Sequence, residues 1–468
     1  MNTPTRCVAL LVSMGLLGLF IAAPARGADP SDATLLQRGQ YLATVGDCVA
    51  CHTAPSGKPY AGGLKVPTPI GDIIATNITP SARAGIGRYT EQQFSDALRK
   101  GIRADGKHLY PAMPYTSYAQ VTDADVHALY AYFMHGVAPV DSMPTPTRLP
   151  FPFNIRLSMA AWNLLFLDSK PFTPDPAKSA AWNRGAYLVR GLAHCSTCHT
   201  PRNLLMAEES SHELAGGAVG TWLAPNITSD ANSGIGNWSE QDLVDYLKLG
   251  HALGKAQAAG PMAEAVDHSL QYLGSSDLRA IATYLKTLPA QHEPADTHAI
   301  DRWGAAFDGM ADQRGTPLPD DANRWSGAQL YDAHCATCHQ ASGEGSFDGG
   351  LPPLFHNTAT GRADADNLVL VILDGIRWTD ASGVHMPAFA DSLNDQQIAT
   401  LASYLTQHYG NPAATVSAEQ VRVLRAGGAP SHLVALARWA MVVVVLLILA
   451  IVILLIRRKQ RRTSSGRP

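Results

Sequence analysis

Six of the seven cysteines fall into three copies of one five-residue frame: Cys48-Val49-Ala50-Cys51-His52, Cys195-Ser196-Thr197-Cys198-His199 and Cys335-Ala336-Thr337-Cys338-His339. Two thiols separated by two residues match the two vinyl groups of a haem, to which they bond as thioethers. The His that follows is placed to turn its imidazole onto the iron. A zinc site, a redox dithiol and a structural disulfide also begin from Cys-x-x-Cys. Zinc, however, pairs two such motifs at close range, and these stand 147 and 140 residues apart by their first cysteines. A disulfide leaves the adjacent His unexplained three times over. The frame therefore predicts three covalently bound haem c groups, held by Cys48 and Cys51, Cys195 and Cys198, and Cys335 and Cys338, with His52, His199 and His339 as proximal iron ligands.

A haem supplies much of the core of the small unit that encloses it, so three haems imply three small helical units. The flanks repeat accordingly. Upstream of each motif a Gly and a Tyr share a helical stretch: Gly39 and Tyr41, Gly185 and Tyr187, Gly327 and Tyr331. Downstream comes an amphipathic Leu/Ile-x-x-Tyr-Leu/Phe segment: Leu129 to Phe133, Ile281 to Leu285, Leu401 to Leu405. A small residue on one helix lets a second helix bearing an aromatic cross it closely, so these aromatics are expected to pack. The first two repeats also share Asn77-Ile78-Thr79 with Asn226-Ile227-Thr228, and Gly85-Ile86-Gly87 with Gly234-Ile235-Gly236. Each leads into a helix whose start, Thr90-Glu91 or Ser239-Glu240, has the chemistry of an N-cap. The Asn-x-Thr triplets match glycosylation acceptors, but their register with the haem motifs favours a loop-shaping or propionate-binding part. The expected architecture is all-α: three tandem cytochrome c-like haem domains at 28–150, 175–300 and 320–412, the third leaner, plus a C-terminal transmembrane helix.

The two ends agree on topology. Arg6, an apolar run from Val8 to Ala22 and small residues around Ala23 to Ala28 form the charged, apolar and cleavage-site order of an export signal over 1–27, which removes Cys7. Trp439 to Ile456 carries no charge and is followed at once by Arg457, Arg458, Lys459, Arg461 and Arg462. Extended back to Leu433, the span 433–456 is long enough to cross a bilayer, and the basic tail 457–468 belongs on the cytoplasmic side. The haem domains then lie on the periplasmic side of the inner membrane. A net charge of −3 offers no concentrated basic footprint, so no nucleic-acid partner is expected. Between the first two domains, Leu149 to Leu167 is apolar and aromatic but broken by Pro150, Pro152 and Arg156. It is expected to pack between domains or against a partner, with a peripheral membrane contact as the alternative.

What fills the sixth iron position decides between electron transfer and catalysis. Each repeat has a Met in a Pro-bearing loop before its last helix: Met113, Met262 and Met386, which follow their proximal His by 61, 63 and 47 residues. Proline stiffens such loops and lowers the entropy lost in holding a thioether on iron. His108, His251 and His385 compete for the same role. Met134 belongs to helix packing, and Met206 follows His199 too closely to reach the opposite haem face. With all six positions filled, no iron is open to substrate, and no catalytic residue is expected.

Ala61-Gly62-Gly63, Thr76-Asn77-Ile78-Thr79-Pro80 and Leu109-Tyr110-Pro111-Ala112-Met113-Pro114-Tyr115 resemble the first haem domain of the triple-haem cytochrome c subunits of bacterial quinoprotein alcohol dehydrogenases. Cys198-His199-Thr200-Pro201-Arg202-Asn203, Ala258-Ala259-Gly260-Pro261-Met262-Ala263-Glu264 and the C-terminal apolar helix are more similar to the flavin-dependent branch, the fructose and gluconate 2-dehydrogenase type. The resemblance implies a complex in which a separate FAD-bearing subunit, accompanied by a small third one, oxidises a sugar, polyol or sugar acid and this chain passes the electrons to ubiquinone. It also implies the axial pairs His52 with Met113, His199 with Met262 and His339 with Met386. No Gly-x-Gly-x-x-Gly fingerprint opens a strand-helix unit here, consistent with FAD on another chain. A quinoprotein alcohol or molybdenum-type aldehyde dehydrogenase partner, a haem peroxidase and a free electron shuttle are the rival readings.

Overall fold

The computed structural model describes residues 30–347, 350–376 and 385–464; the export signal expected over 1–27 lies outside them. The described chain is mostly helical. Three short antiparallel pairs interrupt the helices, Lys65–Val66 with Ile73–Ile74, Gly217–Val219 with Trp222–Ala224, and His251–Ala252 with Ala256–Gln257. They are two or three residues long and brace loops rather than forming a layer.

The same helix crossing is built three times. Pro30–Val45 crosses Asp123–Ala131, Ala180–Tyr187 crosses Ser275–Leu285, and Gly327–His334 crosses Asp395–Tyr409. The repeated glycine stands at each crossing. A Cβ on Gly39 would lie 2.0 Å from Ala128 O and 2.6 Å from Tyr132 Cβ. On Gly185 it would lie 2.0 Å from Ala280 O and 2.7 Å from Tyr284 Cβ, and on Gly327 2.3 Å from Tyr404 Cβ. The aromatics of the downstream frame are thus what the missing side chains make room for. Thr90 and Ser239 cap the next helices as their sequence implies, each in a reciprocal capping box with Gln93 or Asp242.

The Asn-x-Thr triplets are internal clamps. Asn77 Oδ1 accepts from the Thr79 backbone N–H at 2.8 Å and hydroxyl at 2.7 Å, while its amide donates to Val140 O and Ser142 O. Asn226 repeats the bonds to Thr228 at 2.8 and 2.7 Å and donates to Gln291 O. Both asparagines are buried, which removes them as glycosylation acceptors, and the donors of Asn77 are already committed to protein carbonyls. Loop shaping is their role.

One continuous apolar core serves the first two units, containing Leu42, Leu129, Leu188 and Ile281 together; the third unit has its own around Leu330, Ile398 and Leu405. Across the first two, Arg38 pairs with Asp125 at 2.8 Å within its own unit, and Tyr187 of the second unit donates to the same carboxylate at 2.6 Å. The exchange is reciprocal: Arg184 holds Asp277 at 2.6 Å, and Tyr41 of the first unit donates to Asp277 at 2.7 Å. Burial raises the pKa of Asp277, but the bonds from Arg184 and Tyr41 outweigh it and leave the carboxyl below its ordinary value. Two copies of Arg-Gly-x-Tyr thus pack as a pseudo-twofold pair. The third unit is fastened differently, with Asn367 bonding both N–H and C=O of Leu223 at 2.9 and 2.8 Å.

The segment from Leu149 lies against these units. Tyr110 donates to Phe153 O, Tyr115 to Asn163 Oδ1, and Trp162 to Leu205 O in the second unit, while Leu164 and Leu165 stay exposed. It therefore packs between units, with an apolar outer edge. The last helix, Leu433–Ser464, runs unbroken through the apolar span into the basic residues. Its Leu433–Gln460 stretch has a mean hydropathy of 3.5 over its most apolar window, none of it buried, which makes it long and apolar enough to cross a membrane. Arg438 Nε donates to Phe151 O at 3.0 Å where this helix leaves the globular part.

Candidate haem-binding sites

Each Cys-x-x-Cys-His frame forms one tight helical turn: Cys48–Cys51, Ser196–His199 and Ala336–His339. The turn brings the His backbone N–H onto the carbonyl of the first Cys in all three, at 3.0, 3.0 and 2.9 Å. Both thiols and the imidazole are thereby held by one short turn. The six cysteines form no disulfide with one another. Burial pushes Cys48, Cys195 and Cys335 up to about 12, the opposite of the lowered value that a redox-active dithiol requires.

The three histidines are oriented alike by a feature the sequence did not announce. His52 Nδ1 donates to Thr76 O at 2.6 Å, His199 Nδ1 to Pro225 O at 2.7 Å and His339 Nδ1 to Pro352 O at 3.0 Å. A carbonyl only accepts, so Nδ1 carries the proton and Nε2 keeps its lone pair. Burial lowers all three pKa values, which favours the neutral imidazole that ligates iron. Thr76 and Pro225 each stand immediately before the Asn of an Asn-x-Thr clamp. The duplicated triplet was therefore a usable signal for the carbonyl that aims the His; Pro352 has no such marker.

At the second site Cys195, Cys198, His199 and Met262 all line one cavity of about 230 Å³. Met262 sits in the first turn of the Gly260–His268 helix, entered through Pro261. All three units wall this cavity: Asp47 comes from the first, Trp222 from the second and Arg362 from the third. Burial, then the neighbouring Glu264 carboxylate, pushes Asp47 up to about 8. The Cys48–Cys51 turn packs against the Gly260–His268 helix that carries Met262, so the first two attachment sites adjoin. Paired thiols, an oriented neutral imidazole and an apolar cavity between them and a thioether fit haem c.

At the first site Met113 lies in the Tyr110 to Tyr115 turn and packs against the shared core. His108, nearby, has a buried Nδ1 with no hydrogen-bond partner among the described residues, unlike the carbonyl-bonded Nδ1 atoms of His52, His199 and His339. His251 Nδ1 lies 3.2 Å from Leu249 O, at the end of the helix that precedes its hairpin. At the third site Met386 pairs with Ile376 in an isolated bridge and packs against the third core, while His385 is exposed.

The cytochrome c family profile matches residues 36–136 and 326–408, around the first and third frames. The chain is 47% identical over 453 residues to the fructose dehydrogenase cytochrome subunit of Gluconobacter japonicus, covering 93% of this chain and 92% of that one. It is 40% identical over 413 residues to the gluconate 2-dehydrogenase cytochrome c subunit of Pantoea cypripedii, covering 85% and 91%. It is 39% identical over 447 residues to the cytochrome c subunit of the quinone alcohol dehydrogenase of Gluconobacter oxydans, covering 92% and 89%. With haem c attachment turns in triplicate and these relatives matched along nearly their full length, the chain belongs to the electron-transferring cytochrome c subunits of dehydrogenase complexes.

Proposed function

We propose that this chain relays electrons from a flavoprotein subunit oxidising fructose, gluconate or a related polyol to ubiquinone in the inner membrane. The observation that carries it is the repeated geometry: three imidazoles aimed by backbone carbonyls, each in a unit with a Pro-flanked methionine. In this reading His52 and Met113, His199 and Met262, and His339 and Met386 are the axial pairs, within haem units spanning 28–150, 175–300 and 320–412. Haem c so held takes up and gives back one electron at a time. The protein's part is to fix the imidazole tautomer, keep water from the metal and hold the thioether rigidly. Oxidation at an alcohol carbon removes two electrons with protons, which suits a flavin on another subunit.

The apolar C-terminal helix, followed by Arg457, Arg458 and Lys459, supports a single-pass anchor with the haem units on the periplasmic side. Purified alone, the chain is expected to show no dehydrogenase activity with fructose, gluconate or related polyols. It should be reduced rapidly once a flavoprotein subunit and its substrate are added. Turnover by the isolated chain would overturn the reading, and reduction only by a quinoprotein partner would transfer it to the alcohol dehydrogenase branch.

A further inference from the structure

Arg362 belongs to the third unit, yet it lines the cavity of the second. It is the only Arg or Lys among the lining residues, in a wall otherwise dominated by apolar side chains such as Trp222, Leu243 and Leu270. Its Nε is buried with no hydrogen-bond partner, and among the described residues it forms no ion pair. Arg362 as a whole is half-buried, and a guanidinium nitrogen left buried without a partner is costly, because its desolvation is uncompensated. Burial accordingly lowers its pKa from the ordinary arginine value, against the opposing pull of Asp296, Asp364 and Glu293. The charge is felt at His199, whose pKa it helps to lower.

Arg362 is also delivered there by rigid backbone. It directly follows the Thr358–Gly361 turn, which Asn357 caps and which is tied to the second unit by Thr358 N–H donating to Lys255 O at 2.9 Å. A Cβ on Gly361 would lie 1.8 Å from Ile300 O, so only glycine allows this turn to press against the chain leaving the second unit. Lys255 is itself fixed by a buried pair with Asp301 at 2.7 Å. The seat that places Arg362 is therefore built, not incidental.

We propose that Arg362 is the counter-ion, supplied across the unit boundary, of a propionate carboxylate on the haem held by Cys195, Cys198 and His199. The carboxylate satisfies the orphaned Nε, and the planar guanidinium fork matches it in two parallel bonds. A fixed positive charge beside this haem favours its reduced, less positive state and so raises its potential. It also makes a complete second site depend on docking of the third unit. The inference rests on haem occupying this cavity, which haem counting tests separately.

The experiment compares the full-length chain in its complex with Arg362→Gln and Arg362→Lys. Haem content is measured by pyridine haemochrome and the three redox waves by spectroelectrochemical titration. The expected result is three haems in each protein, with one wave of Arg362→Gln moved to lower potential, the other two unmoved, and most of that shift restored in Arg362→Lys. Three unshifted waves in Arg362→Gln, or equal shifts in all three, would overturn the proposal. Should Arg362→Gln lose a haem, Arg362→Lys decides: retention of three haems supports the counter-ion, and the same loss refutes it. A wild-type chain with fewer than three haems would instead defeat the underlying reading of the cavity.

Discussion

At the Ile376 and Met386 bridge the backbone bonds run in both directions at 3.0 Å, which fixes the facing of Met386 and of its neighbour. Successive residues of an extended segment point to opposite sides. Met386 therefore meets the third core while His385 is exposed, although the two are adjacent in sequence. Replacing Met386 with Ala is expected to give a high-spin third haem with its potential lowered by on the order of 0.1 V, a fraction of the range axial ligation spans. His385→Ala should leave both the spectrum and the potential unchanged. Redox titration and visible spectra of the two variants check the assignment, and a shift confined to His385→Ala would reverse it. The same residue scale explains why the Cys-x-x-Cys-His frame was legible outright, whereas the carbonyl that orients its His was marked only where an Asn-x-Thr triplet follows it. Cys-x-x-Cys-His is contiguous, whereas His52 finds Thr76 and His339 finds Pro352 only after a loop has closed.

Among the elements, the glycine crossings carry the repeat. In the second unit, Gly185→Ala puts a methyl carbon 2.0 Å from the Ala280 carbonyl oxygen, and backbone on both sides prevents an easy shift. We expect a loss of about 3 kcal/mol, the upper end for overpacking a close contact. Gly191→Ala is the control: its nearest new neighbour is Gln120 Cβ at 3.4 Å, and its effect should stay within about 0.5 kcal/mol. Denaturant unfolding of the haem-loaded chains, followed at a haem absorption band, distinguishes the two. Comparable losses would mean that the crossing is not the point of closest packing. The repeated Gly and aromatic frame made these helices and their contact legible, because helical periodicity and small-residue spacing are local properties. The short β pairs were not legible, since two or three residues give no periodicity to recognise.

For the molecule as a whole, the apolar terminal helix and the packed globular part are separate. The globular part is closed by two cores, one shared by the first two units and one in the third, and the Leu433–Ser464 helix meets it through Arg438 and Phe151 at its start. A chain ending at Ser431 is therefore expected to keep three haems and to appear in the soluble periplasmic fraction. Fractionation after a salt wash, with haem staining, measures this. Firm retention on membranes would shift the anchorage to the segment bearing exposed Leu157, Leu164 and Leu165.

The sequence by itself determined the covalent chemistry, the number of haem units, the capped helices that frame them and the apolar terminal span. Each of these is written in residues that are neighbours in the chain or lie one helical turn apart. Tertiary structure alone decided that the first two units share one core and trade hydrogen bonds through Tyr41 with Asp277 and Tyr187 with Asp125. It alone carried Arg362 into the cavity around His199. These partners lie 236, 62 and 163 residues apart. No local periodicity spans such separations, and only the burial of two complementary apolar faces sets which polar groups meet.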